Sequence, residues 1–222
     1  LTLTIPYLRY RDTHLLHHQD SELTDPYDDP ESNYFDPDDW DALPRFAKTV
    51  FQVNNTLAGR LTIGPLVGTF SFLNAERKAF LTDPNVRTGW LWHLPAAAVV
   101  LSVVVLSPMP FWAYLLAVYV ALALLRIRTF LEHQAHEFSR ARSVIIEDRG
   151  PLAFLFLNNN LHAVHHAHPN VAWYDLPKLY AGNRERFLAM NEGYAFRSYG
   201  DIFRRYLFRR KDPLAHPLRG KG

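Results

Sequence analysis

From Trp90 to Leu125 the chain reads WLWHLPAAAVVLSVVVLSPMPFWAYLLAVYVALALL, two apolar runs with no Asp, Glu, Lys or Arg in either or in the turn between them. The runs, Trp90 to Ser107 and Phe111 to Leu125, are each somewhat short of the roughly 20 apolar residues that cross a hydrocarbon core. Both are apolar on every side, which rules out the one-faced pattern of a surface helix. Aromatic residues stand at their ends: Trp90, Trp92, Phe111 and Trp112. We read residues 90–126 as a transmembrane helical hairpin, the alternative being a hairpin buried in a soluble core. Arg87 precedes the hairpin and Arg126 and Arg128 follow it, so the positive-inside rule puts both flanks in the cytoplasm. A hairpin returns the chain to the side it left, so the segments before and after it can meet on one membrane face.

Working outward, the stretch Leu57 to Leu73 contains Arg60, Pro65 and three glycines, which argues against a clean spanning helix. Residues 56–89 are therefore expected as interfacial helices. Residues 1–55 are expected as a cytosolic segment with an acidic loop, and residues 127–222 as a cytosolic C-terminal region with a basic tail. The fold class is all-α: a membrane helical protein whose cytosolic helical cap carries its histidines. The composition agrees, at 48% hydrophobic and 14% aromatic over 222 residues, enough to build a core. The absence of cysteine excludes disulfides and thiolate metal sites, so any metal must be held by nitrogen or oxygen. The chain opens Leu1, Thr2, Leu3, without the pattern of a secretory signal.

A formal charge of +2 conceals segregation, because ten of the 22 acidic residues lie between Asp20 and Asp41, whereas Arg204, Arg205, Arg209, Arg210 and Lys211 cluster near the other end. The acidic stretch, dense in Asp and Pro, lacks EF-hand spacing and is expected as a solvated, turn-rich loop. The basic tail suits anionic headgroups or an acidic protein, and equally a solvated helix face. No nucleic-acid partner is expected.

The chemistry lies in the histidines. His14, His17 and His18 form HLLHH, and His162, His165 and His166 form HAVHH, so one spacing occurs twice. Positions i, i+3 and i+4 of a helix fall within an arc of about 100°, so each motif projects three imidazoles from one face. Between them, EHQAHE places His133 and His136 where the chain leaves the second apolar run. A single HxxHH is often an exposed helix face, but two on one predicted membrane face point to a shared metal site. A zinc protease motif fails, because Arg140 stands where HExxH needs its second histidine. A four-helix carboxylate di-iron site fails for want of Glu-x-x-His pairs. Six or more imidazoles exceed what one tetrahedral zinc uses, so two metal ions are implied, of a kind that ligand type alone does not name.

Three segments carry a resemblance to the membrane fatty acid desaturase and hydroxylase superfamily, in a bacterial branch. RYRDTHLLHHQDSELTDPYDDPESNY resembles its second histidine box and acidic sequel, RTFLEHQ the segment with an additional ligand histidine, and NNNLHAVHHAHPNVAWYDLP its third box. The resemblance implies two non-haem iron ions held by His14, His17, His18, His133, His162, His165 and His166. His136, His168, Glu132 and Asp12 are expected behind the ligands, Asp12 with less reason because i−2 is not a helical neighbour of His14. It also implies an integral, multi-pass membrane enzyme with its boxes facing the cytoplasm, acting with O2 on a lipid and taking electrons from a ferredoxin or cytochrome. The family's first box, HxxxH or HxxxxH, has no counterpart, so the chain is expected to be a truncated piece that holds metal incompletely and is inactive alone. Carotenoid ketolases or hydroxylases and lipid or alkane hydroxylases share the same boxes. A non-catalytic metal-binding membrane protein is the rival from outside the enzymes.

Overall fold

The structure, a computed structural model, describes residues 3–19 and 23–220. Leu1, Thr2, Asp20 and Glu22, which entered the reading of the sequence, lie outside the described residues. Helix dominates, as the all-α class requires. The first HxxHH lies on α1 (Tyr7–Gln19), and an irregular acidic stretch then leads to α2 (Pro37–Ala42), opened by the Asp36 side chain accepting from the Asp38 amide at 3.0 Å. Three helices follow, α3 (Arg45–Asn54), α4 (Leu57–Thr62) and α5 (Gly64–Ala79), and then the hairpin of α6 (Pro84–Leu106) and α7 (Phe111–Arg128).

The hairpin helices are longer than their uncharged runs. The Asp83 side chain caps α6 through the Asn85 amide at 2.7 Å, so that helix starts six positions before Trp90 and reaches 23 residues. At 1.5 Å per residue it is about 35 Å long, enough for a hydrocarbon core of about 30 Å. Mean hydropathy is 1.9 for α6 and 1.6 for α7, yet only 17% and 11% of their apolar windows are buried. A hairpin at the heart of a soluble protein would be enclosed by other elements, whereas these two helices are bare on most sides. Their composition and bareness together fit a lipid surround.

The stretch Leu57 to Leu73 does break, at Ile63 between α4 and α5. The Tyr119 hydroxyl of α7 donates to the Thr62 carbonyl, while Leu57 packs in one cluster with Ile127. α4 therefore packs beside the last turns of α7 along its whole length of about 9 Å. Its entry is tight, because the Thr56 hydroxyl accepts from the Gly59 amide at 3.0 Å and a Cβ on Gly59 would stand 1.9 Å from the Val53 carbonyl oxygen. Only glycine lets α3 and α4 approach so closely at this corner.

Beyond α7 the cap is assembled from short pieces: β1 (Ile145–Ile146), α8 (Pro151–Leu155), α9 (His162–Ala167) with the second HxxHH, α10 (Leu176–Gly182), α11 (Arg184–Met190), β2 (Ala195–Phe196) and α12 (Tyr199–Tyr206). The strands pair in parallel, Ile145 opposite Ala195. Alternation along β1 ties two clusters together. Ile145 joins Leu161, Ala163, Val164 and Phe187 on one side, and Ile146 joins Leu57, Ile127, Phe130 and Ile202 on the other. Each such side chain contributes roughly 1.5–3 kcal/mol on burial, so the strand anchors α9 firmly to the end of α7. α9 starts beside the Asn run and stops before Pro169, but no side chain caps it; the asparagines work elsewhere.

The acidic loop is not solvated throughout as expected: although Arg204, Arg205, Arg209 and Arg210 of the tail are exposed, the loop packs against the last residues of the tail. The two meet each other: Phe35 bridges Ala215, Arg219 pairs with Asp25 and with Asp36 at 3.2 Å, and the Tyr34 hydroxyl donates to Asp212 at 2.7 Å. Opposite charge and backbone pairing thus fold the tail across the acidic loop and draw Asp29 into the interior, 4% exposed.

Gly59→Ala should destabilise the protein in detergent by about 1–3 kcal/mol or more, because the carbonyl it meets is backbone and has nowhere to move. Thermal unfolding should show a drop of about 2–4 °C per kcal/mol. Gly182→Ala, which meets nothing within 4 Å, should leave the midpoint within about 1 °C.

Candidate metal centre

α1 arrives from one side, α9 from the other, and His133 from the strand-like segment after α7, where it bridges Ser143. Their imidazoles form two groups. His17, His133, His162 and His166 make one and His14, His18 and His165 the other, the candidate ligand atoms of each lying within 4.8 Å of one another. Each HxxHH is divided between the groups. The i and i+4 histidines, His14 with His18 and His162 with His166, share a group, while the i+3 histidine of each motif turns to the other. His18 stacks on His166 with ring centroids 4.3 Å apart, joining the two groups into one continuous cluster.

Outward bonds decide which nitrogen faces in. Nδ1 of His17 meets Asp29 Oδ1 at 2.8 Å, Nδ1 of His14 meets Glu31 Oε1 at 2.8 Å and Nδ1 of His162 meets Asn159 Oδ1 at 3.0 Å. Those oxygens only accept, so each Nδ1 carries the proton and each Nε2 presents a lone pair inward. The Nε2 atoms stand 3.1 Å apart for His17 and His133, 3.0 Å for His133 and His162, 3.1 Å for His162 and His166 and 3.2 Å for His14 and His18. At that spacing each pair of nitrogens shares a proton or, with that proton lost, ligates a cation between them. Two nitrogens each about 2.0–2.1 Å from one ion stand about 3 Å apart, the spacing found here. The donor set therefore fits metal.

Behind the ligands stand groups that spacing alone did not single out. Asp29 and Glu31 come from the acidic loop expected to be solvated. Asn159 is three residues before His162 and donates through Nδ2 to Glu132 at 3.2 Å, and Glu132 pairs with Arg128 at 3.3 Å, so an ionic chain ends on the His162 imidazole. Ser143 Oγ lies 3.2 Å from His133 Nδ1, and the ammonium of Lys211, from the basic tail, donates to the His133 carbonyl. Glu132 thus reaches His162 through Asn159. The other three do not reach the cluster: Asp12 pairs with Arg11 at 2.7 Å, His136 lies 3.5 Å from Glu192 and His168 rests against the Phe187 ring. Only the DDPE run soon after the first motif and Asn at i−3 of His162 were visible signals for the missed partners.

Burial pushes the His133 and His162 imidazoles well below the ordinary histidine range, with neighbouring imidazoles adding to the effect. The same causes bring His18 and His165 to about 4 and His166 to about 2. His17 moves the other way: burial lowers it, but the bond to Asp29 and the charges of Glu31, Asp29 and Glu132 outweigh burial. Most of the cluster is therefore neutral at pH 7, the form that binds metal. A separate cleft of about 620 Å³, lined by Glu147, Arg149, Phe154, Tyr180 and Arg184 among others, contains none of these histidines.

Asp29→Asn should weaken metal retention by about 10–100-fold, read as metal per chain after dialysis against a graded chelator, because the amide supports the inward-facing tautomer less well. Metal-free protein should lose stability on acidification. The unfolded chain takes up protons near pH 6.5 while folded His18 and His165 refuse them until about pH 4. Over that window the unfolded state binds more protons, so the thermal midpoint falls as pH falls from 6.5 to 4. Replacing His18, His165 and His166 together by Asn should flatten the dependence; an unchanged slope would show that these imidazoles are not its source.

No curated protein and no solved structure matches the chain. The family described as "Fatty acid desaturase" matches residues 1–198, nearly the whole chain and all the histidines above. With two membrane-length helices and a cluster of imidazoles suited to metal at the end of one of them, the chain belongs to the fatty acid desaturase family.

Proposed function

We propose that the protein is a membrane-bound, non-haem di-iron desaturase that uses O2 to introduce a double bond into an acyl chain. The observation that carries this reading is the division of seven imidazoles into a group of four and a group of three, side by side where α7 ends. His17, His133, His162 and His166 would hold one iron, and His14, His18 and His165 the other. When bound, the two irons supply the family's chemistry, oxygen activation and removal of hydrogen from an unactivated C–H bond. The rest is done by side chains. Asp29, Glu31 and Asn159 hold the inward-facing tautomers. Burial keeps protons off the ligands at neutral pH, and the bare flanks of α6 and α7 give an apolar substrate a route from the bilayer to the cluster.

The group of three leaves room for a further ligand, of the kind the family's first box supplies, and seven imidazoles alone would hold iron incompletely. Arg87, Arg126 and Arg128 support a cytoplasmic position for the cluster. These 222 residues have no GxGxxG fingerprint and no cysteine for an iron–sulfur centre, so none of them carries the electrons. A ferredoxin or cytochrome-type donor is suited by the exposed Arg204 and Arg209 of the tail, whereas Lys211 is committed beneath His133. Return of oxygen to the carbon in place of a second hydrogen removal gives a hydroxyl, so a carotenoid or alkane hydroxylase is the second reading on the same boxes.

The complete gene, expressed in a host that makes saturated acyl lipids and carotenoids, should yield new acyl double bonds that require O2. His17→Ala and His165→Ala should each cut product by more than about 100-fold, beyond the 10–100-fold usual for losing a partner behind a ligand, and should lower iron content together with it. Oxygenated pigment in place of unsaturated acyl chains would move the assignment to the second reading. Bound metal with no oxygen-dependent product would leave a metal-binding membrane protein.

A further inference from the structure

A patch outside the metal centre is shaped for lipid. Phe154, Leu155 and Leu157, in α8 and just after it, are 71%, 54% and 52% exposed, and Tyr174 is 65% exposed. They are contiguous across the chain, because the Phe154 and Trp173 rings lie 6.1 Å apart, those of Trp173 and Tyr174 5.7 Å apart, and Asn158 Nδ2 donates to the Trp173 carbonyl at 3.1 Å. The contributing stretches, PLAFLFLNNNL and VAWY, carry no charge. Soluble surfaces rarely leave so many large apolar side chains together without a partner.

Position in the fold says what the partner is. Leu152 and Phe156, on the inner side of the same segment, pack in one cluster with Ile127, which lies in the last turn of α7. The segment is thus one side-chain layer from the point where the apolar helix emerges, the depth at which headgroups meet acyl chains. Aromatic rings with a polar edge, such as Trp173 and Tyr174, favour that depth. The backbone is bent to make the surface: Leu157 and Asn158 adopt φ of +53° and +54°, a left-handed conformation uncommon for leucine, held by amide bonds from Leu157 to Phe154 O at 3.0 Å and from Asn158 to Ala153 O at 2.8 Å. A regular continuation of α8 would not turn the chain at this point.

We propose that Phe154, Leu155, Leu157, Trp173 and Tyr174 form a lipid-inserting tip that sinks into the leaflet from which α7 emerges, tethering the cap, and with it the second HxxHH, to the bilayer surface. The partner is the phospholipid monolayer itself. The tip holds the end of the metal cluster contributed by α9 against the bilayer, so that an acyl substrate reaches it without crossing water. This rests on α6 and α7 spanning the membrane.

The native chain has no cysteine, so one introduced cysteine accepts a nitroxide at one place only. Labels at Leu155→Cys and Tyr174→Cys are measured in the full chain reconstituted in phosphatidylcholine–phosphatidylglycerol nanodiscs, by collision with O2, which partitions into lipid, and with a water-soluble nickel chelate. Val120→Cys, midway along α7, and Glu185→Cys, exposed on α11, are the lipid and water references. Both tip labels should show an O2-to-nickel ratio several-fold above that of residue 185 and below that of residue 120. A ratio equal to that of residue 185 overturns the proposal by placing the tip in water. Suppression of both collisions also overturns it, because then protein, from a second copy or another segment, covers the patch. If residue 120 itself reads as water, the spanning assignment has failed, and the tip proposal goes with it.

Discussion

Inward-facing imidazole nitrogens govern this structure. Imidazoles from three distant segments present their Nε2 atoms to one another at about 3 Å, the spacing of donor atoms around one cation. Keeping it requires that each ring be held from behind, that the helices bearing the rings not slide, and that protons stay away. The acidic loop meets the first requirement through Asp29 and Glu31, and Asn159, steadied by Glu132 and Arg128, meets it for His162. The clusters on either side of β1 meet the second. Burial meets the third.

The charged ends of the chain acquire a role in the same account. An acidic loop and a basic tail look like two separate solvated features, yet the pairing of Arg219 with Asp25 and Asp36, and of Phe35 with Ala215, makes them one layer. That layer closes over the ligands from both directions, since the loop supplies carboxylates to α1 and the tail supplies Lys211 to the His133 carbonyl. Exposed ion pairs contribute little to stability, so the consequence of these contacts lies in placing Asp29 and Glu31.

The membrane hairpin sets where all this occurs. α6 and α7 are bare along most of their length, while the last turn of α7 carries Ile127 into the core of the cap. An apolar helix thus ends where the cap that holds the nitrogen-rich cluster begins.

Much of this was legible from residue order. Runs without charge fix two helices apolar on all sides, which need lipid or a protein core around them, and the repeated HxxHH fixes which imidazoles share a helical face, because 3.6 residues per turn is a local property. Resemblance, carried by the same motifs, added His133. What only the tertiary structure decided is how those imidazoles are dealt out, with i and i+4 to one group and i+3 to the other, since that depends on the approach of α1 to α9. It also placed Asp29 and Glu31 against imidazoles of the cluster and Asp12, His136 and His168 away from it. A hydrogen bond between residues far apart in the chain leaves no mark on local spacing, and a carboxylate in a Pro-rich loop looks the same whether it faces water or the imidazole it holds in place.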